Sequence, residues 1–140
     1  MTQTDLEKIL RDTLATLNSE TGTIHKLHEP TQLLRLLAQA GLPPQLLDMV
    51  SIIPVGKGIA GECAQKNRPV TMCNLQTDTS GVAKPAAKQT GVGGAVCVPI
   101  RNGDKVIGTF GIGTKREYDY SAAEINSLQD IANSLAGQLA

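Results

Sequence analysis

Two apolar runs, GAVCVPI (94–100) and KVIGTFGIG (105–113), are separated only by RNGD. The Asn102-Gly103 pair in that connection is a strong signal for a tight reversal, because such turns need residues that tolerate positive φ. So short a connection leaves no chain for a crossover, and the two runs must pair antiparallel. A second pair, TGTIHKLHE and QLLRLLAQAG, flanks a turn containing Glu29-Pro30-Thr31 and reads as another hairpin. Two hairpins commit the chain to a mostly antiparallel sheet with its helices packed on it, an α+β fold.

The helices announce themselves by period. Leu6, Ile9, Leu10, Leu14 and Leu17 form one face of a helix over 4–19, with Thr13 beside it and Thr4 and Glu7 as a capping box. A closing helix starts with the capping box Ser121 and Glu124 and carries the stripe Ile125, Leu128, Ile131, Ala132, Leu135 and Leu139. Between the hairpins, PPQLLDMV is a short helical turn, SIIPV a strand, IAGECAQKN a helix ended by Asn67, and PVTMCN a strand. Residues 75–92 hold no large hydrophobe beyond Leu75 and read as a long surface segment. The whole chain, 1–140, reads as a single domain without repeat or linker.

Composition narrows the function. The 13 basic and 13 acidic residues balance, with no charged run, which argues against nucleic acid and against a polybasic membrane anchor. No apolar run approaches a membrane span and MTQTDLEKIL is not a secretory signal, so a cytoplasmic protein is expected. Three cysteines without a CxxC spacing fit neither a disulfide framework nor a zinc site, and no metal or cofactor is expected. With no Trp, one Phe and two Tyr, the core must be aliphatic and a ligand would find few rings to stack on.

The stretch IPVGKGIAGECAQKN resembles a phosphate loop only superficially. A P-loop places Lys and a hydroxyl after its last glycine, whereas Lys57 precedes Gly58 and Glu62 follows Gly61. Gly56, Gly58 and Gly61 match the dinucleotide fingerprint literally, but that motif needs a parallel βαβ unit, and Asp78 at the acidic position falls in the surface segment. The glycines read instead as a tight strand-to-helix turn.

Taken together, IPVGKGIAGECAQKNRPVTMCNL, a variable segment, AVCVPIRNGDKVIGTFGIGTKREYDYSAAEINSLQDIANSLAGQL, and the opening GTIHKLHE…LLRLLAQAGLP resemble a GAF domain over essentially the whole chain. The resemblance implies a PAS-like central antiparallel sheet, N- and C-terminal helices on one face, and a small-molecule pocket on the other beneath the variable segment. It places ligand contacts at Gly58, Ile59, Ala60, Gly61, Cys73, Lys84, Ala95 and Cys97. It includes a nitrate-sensing member with a similar glycine stretch, whose pocket uses aromatics absent here. A small anion is therefore one candidate ligand, held by the first amides of the helix opening at Gly58 with help from Lys84 or Lys88.

One branch of the family, the free methionine-(R)-sulfoxide reductases, is enzymatic. Its cysteines fall at positions held here by Ala60, near Val50, and near Lys84, so Cys63, Cys73 and Cys97 do not match and no enzyme is expected. The N-K-x-x-F pattern of cyclic-nucleotide-binding members is missing, and no bilin setting surrounds Cys73 or Cys97. His25 and His28 point to opposite faces and read as surface residues, and the cysteines as small core hydrophobes.

Two functions remain beside a reductase-like enzyme, which the cysteine positions disfavour. One is a sensory or regulatory module that binds a small molecule and signals by associating with a partner protein. The other is a structural interaction module whose pocket is filled by its own side chains. A homodimer paired through the first and last helices is expected, with Leu135 and Leu139 extending past the core as an apolar patch.

Overall fold

The computed structural model describes residues 3–73 and 93–139; the surface segment 75–92, with Lys84 and Lys88, lies outside the described residues. In chain order the elements are α1 (Gln3–Thr16), β1 (Thr21–His28), β2 (Leu33–Ala40), a 3-10 turn (Pro44–Leu46) leading into α2 (Leu47–Val50), β3 (Ile52–Pro54), α3 (Gly58–Lys66), β4 (Val70–Met72), β5 (Ala95–Asn102), β6 (Lys105–Gly113) and α4 (Ala122–Leu139). The strands form one sheet in the order β3-β2-β1-β6-β5-β4. Every neighbouring pair is antiparallel, as the two hairpins require.

The β5–β6 reversal sits one residue later than its Asn-Gly signal suggests. Asn102 pairs with Lys105, so Gly103 and Asp104 are the central residues, and Gly103 takes the positive φ of 65°. A register shift between Ile100 and Arg101 follows at once. Such a bulge increases local twist.

The main core lies on one face of the sheet. Leu6, Leu10, Leu14 and Leu17 of α1 and its exit meet Ile24, Val98, Ile100, Phe110 and Ile112 from the strands, and Leu128, Ala132, Leu135 and Leu139 from α4. Thr13 is buried with them, its hydroxyl donating to the Ile9 carbonyl at 2.7 Å, so the polar group is satisfied within the helix. Two expectations about these helices are corrected here. α1 already begins at Gln3, so Thr4 lies within its first turn. Leu135 and Leu139 are only 1% and 6% exposed, so they belong to the core and supply no patch for a partner. The outward faces carry Lys8, Arg11 and Asp12 on α1 and Asn126, Asp130 and Asn133 on α4. An α-helix of 3.6 residues per turn wraps its last apolar turn back onto the sheet when the sheet extends that far.

α4 does start with the capping box: the Ser121 amide donates to Glu124 Oε1 at 2.9 Å and the Glu124 amide to Ser121 Oγ at 3.1 Å. The same carboxylate oxygen accepts the Tyr118 hydroxyl at 2.6 Å. Tyr118 and Tyr120 pack edge to face with centroids 4.9 Å apart, and the Arg116 guanidinium lies 4.5 Å above Tyr118. Glu20 ties this segment to β1 by accepting the Thr114 hydroxyl at 2.9 Å and the Lys115 amide at 3.1 Å.

Candidate ligand-binding site

β3 and β4 occupy opposite edges of the sheet, and α3 is the connection between them. The helix must therefore cross the second face, where it packs against β5 and β6 as well as its own flanking strands. The glycines make this crossing possible. Gly56 and Gly58 have φ of 91° and 64°, the left-handed region where side chains are strained. Gly61 serves a different purpose: a Cβ there would collide with the Pro54 carbonyl oxygen. The turn closes on itself, with the Gly56 amide donating to the Gly61 carbonyl at 2.8 Å and the Lys57 amide to the Pro54 carbonyl at 3.1 Å. Among the described strands no pair is parallel, so they do not supply the dinucleotide context.

At the other end α3 stops at Asn67, whose φ of 54° is a left-handed C-cap and whose amide donates to the Cys63 carbonyl at 2.9 Å. Midway, Cys63 Sγ donates to the Cys97 carbonyl at 3.4 Å, fastening helix to sheet. The Cys97 side chain beside it, together with burial, pushes the Cys63 thiol far up, which disfavours the thiolate.

Between α3, α2 and the sheet lies a cavity of about 270 Å³. Its floor comes from alternate residues that face away from the main core: Thr21, Thr23 and His25 on β1, Gly111 on β6, and Ala95 and Cys97 on β5. Val50, Ile53, Ile59 and Ala60 form apolar walls, and the half-exposed Met49 and Ile52 stand at the rim with Lys57. Of the residues expected to contact a ligand, Gly58, Ile59, Ala60, Ala95 and Cys97 are brought together around this cavity. Gly61 is buried beneath the turn, and Cys73 is exposed, its carbonyl accepting the Tyr118 amide at 3.0 Å. Lys84 lies outside the described residues.

The sequence reading missed His25. Expected at the surface, it is 1% exposed and lines the cavity. Its Nε2 lies 2.8 Å from the Val50 carbonyl oxygen. Burial lowers its pKa, outweighing the upward pull of that hydrogen bond. His25 Nδ1 and the hydroxyl of Thr109, its cross-strand partner, are buried without a hydrogen bond among the described residues. The period-two run Thr21, Thr23, His25 was the available signal: three polar side chains sharing one strand face, opposite Ile24. His28, at the turn, instead bonds Thr31 Oγ1 at 2.7 Å. Among the described residues no group of three His, Cys, Asp or Glu could hold a metal ion.

A sheet with α1 and α4 on one face and a roofed cavity on the other meets the resemblance read from the motifs. A family model for the GAF domain matches residues 2–139. The chain belongs to the GAF-domain family. Solved GAF folds superpose closely. The GAF domain of the Acinetobacter phosphoenolpyruvate-protein phosphotransferase gives a TM-score of 0.81 at 20% identity, covering 98% of this chain and 80% of that one. The type II free methionine-R-sulfoxide reductase of Thermoplasma acidophilum gives 0.80 at 17% identity, covering 98% and 91%. The Nlh2 GAF domain of A. aeolicus, solved in an inactive state, gives 0.75 at 21% identity, covering 98% and 83%. A search of curated proteins returned no match. The GAF fold is thus shared here with a reductase as well as with domains of signalling proteins, and the likeness at these identities is one of fold.

Proposed function

We propose that this GAF domain is a sensory module that holds a small molecule between α3 and the second face of its sheet and reports occupancy to a partner protein. The cavity carries this reading: side chains of the described residues leave about 270 Å³ unfilled, where a purely structural module would close the space. A mostly apolar cleft of this size with a few polar groups on its floor is the usual form of a small-molecule site. A catalytic reading finds less support, because Cys63 is locked on Cys97 and the cysteines stand away from the positions the reductase resemblance requires. Pairing of two copies through α1 and α4 would use outward faces on which the partly buried Ile9, Ile125 and Ile131 lie beside charged residues.

The test is thermal stabilisation across a panel of metabolites and small anions, repeated on Gly111→Leu. A Cβ at Gly111 has ordinary contacts of 3.5 Å to Thr23 Oγ1 and 3.6 Å to Cys97 Sγ, so leucine extends from the cavity floor without a backbone clash. A ligand at 100 times its Kd contributes about 2.7 kcal/mol. Stabilisation of the parent that vanishes in Gly111→Leu supports the reading; stabilisation equal in both proteins, or none from any compound, overturns it.

A further inference from the structure

The cavity floor is grooved along β6. Cross-strand pairing places Gly111 between Thr23 of β1 and Cys97 of β5, and Gly113 between Thr21 and Ala95. All six residues line the cavity, so the glycines leave the middle of each row bare while their neighbours carry side chains. Thr23 turns its hydroxyl to this groove: a Cβ at Gly111 would lie 3.5 Å from Thr23 Oγ1 and 3.6 Å from Cys97 Sγ. Thr23 is only half-buried, and its hydroxyl makes no hydrogen bond among the described residues. Among those residues the unpartnered side-chain atoms closed to solvent are His25 Nδ1, Thr109 Oγ1 and Gln129 Oε1, so Thr23 Oγ1 is open. A hydroxyl both donates and accepts, and its proton rotates to suit what meets it.

We infer that the cavity takes a small uncharged molecule whose apolar body lies along the Gly111–Gly113 groove and whose polar group, a hydroxyl or carbonyl, hydrogen-bonds Thr23 Oγ1. The inference rests on the reading of the cavity as a ligand site. The aliphatic walls Val50, Ile53, Ile59 and Ala60 reward hydrocarbon, and one reachable hydroxyl on the floor fixes its orientation. A charged group fares worse. Lys57 and the first turn of α3 favour an anion, but the lysine is exposed at the rim. The pull of a helix N-terminus is small beside the cost of taking a carboxylate out of water. A cation finds no carboxylate among the described lining residues. Size sets the upper bound: a dry cavity of about 150 Å³ accommodates benzene, so about 270 Å³ admits a substituted ring.

Benzyl alcohol, ethylbenzene and benzoate test this, being probes of similar bulk whose end group is neutral and polar, apolar, or anionic. Affinities are read by titrating the 1H–15N spectra of the parent, Thr23→Val and Thr23→Ser. Valine keeps the branched shape and removes the hydroxyl, and serine keeps the hydroxyl. Thr23→Val should weaken benzyl alcohol about fivefold relative to ethylbenzene, a difference of about 1 kcal/mol. Thr23→Ser should keep the parent's ratio. In the parent, the methylene of benzyl alcohol should show a nuclear Overhauser contact to the Thr23 methyl, a readout that needs no variant to fold. Benzoate should bind about tenfold or more weakly than the alcohol. A ratio unchanged in Thr23→Val, a ratio lost equally in Thr23→Ser, a missing Thr23 contact, or benzoate binding as tightly as the alcohol would each overturn this inference alone. So would a metabolite that stabilises the parent, and not Gly111→Leu, while no probe binds. If no probe binds and no metabolite stabilises the protein, the ligand-site reading falls and takes this inference with it.

Discussion

Arg101 holds the C-terminus of α3 through Asn67. Its Nε donates to the Asn67 side-chain oxygen and its terminal amine to the Asn67 carbonyl at 2.7 Å, while the Asn67 side-chain amine donates on to the Asp104 carbonyl at 2.9 Å. One residue thus joins the end of the cavity roof to the β5–β6 reversal. Its left-handed φ of 54° suits asparagine among non-glycine residues.

Asn67→Ala should lose both the side-chain bonds and conformational tolerance, destabilising the protein by about 1–3 kcal/mol. Asn67→Gly should cost less, because it keeps the backbone geometry and forfeits only the bonds. Arg101→Lys should resemble Arg101→Ala more than the parent, since a lysine cannot reach the two oxygens with a planar fork. Urea unfolding of the four variants orders them. Equal midpoints for alanine and glycine at position 67 would show that the backbone conformation contributes nothing.

Gly58 and Gly61 should fail for different reasons. At Gly58 a Cβ meets nothing within 4 Å, so Gly58→Ala suffers only the strain of φ 64°, about 1 kcal/mol or more. Gly61→Ala drives a Cβ against the Pro54 carbonyl oxygen and should cost more, because backbone must move to admit it. Gly58→Asn should recover part of the alanine loss, and Gly61→Ser should not. The same urea series reads both outcomes.

His25 sets a pH dependence with a definite sign. Its folded pKa lies below the ordinary 6.5, so the unfolded chain takes up the proton first as pH falls. The unfolded state then binds more protons, and stability rises with pH in that window. The contribution of neutral, buried His25 is complete above about pH 7 and declines from the ordinary imidazole value down to the lowered folded one. His25→Gln should flatten stability between about pH 7 and 5, above the range where most carboxylates titrate. A parent whose melting temperature is constant across that interval would contradict the buried neutral ring.

Leu139→Glu should unfold the subunit and not merely separate copies of it. Leu139 is 6% exposed within the core, and losing a buried leucine costs about 2 kcal/mol or more before the carboxylate is desolvated. Circular dichroism and light scattering on the same sample distinguish the cases. A folded monomer from a dimeric parent would restore the terminal patch to the account.

Free methionine-(R)-sulfoxide with a thiol reductant should not turn over. Cys63 is buried and bonded, and Cys97 is buried beside it on β5. Turnover that disappears on Cys73→Ser, the exposed thiol, would assign the chain an enzymatic role.

The elements that could be read in advance are those with strong local causes. The glycine reversal at 103, the leucine period of α1, the Ser121–Glu124 box and the left-handed stop at Asn67 each act within a few residues, and each stands as expected or within one position. What escaped depends on distant chain. Leu135 and Leu139 look surplus until the sheet beneath them is known to reach that far. His25 looks like a surface residue until α2 is folded over it, because the carbonyl that fixes its proton comes from Val50, 25 residues away. The same holds between Gly58 and Gly61: both are glycines in one motif, and only the position of Pro54 separates a requirement of angle from a requirement of space.

α3 is also a strap. It is anchored at one margin of the sheet by β3 and at the other by β4, each only three residues long, while the four strands it bridges are eight or nine. Ladders so short resist peeling far less than the middle of the sheet does. A guest that wedges the strap outward therefore pulls on both margins at once, and two separated borders of the molecule register a single event in its interior.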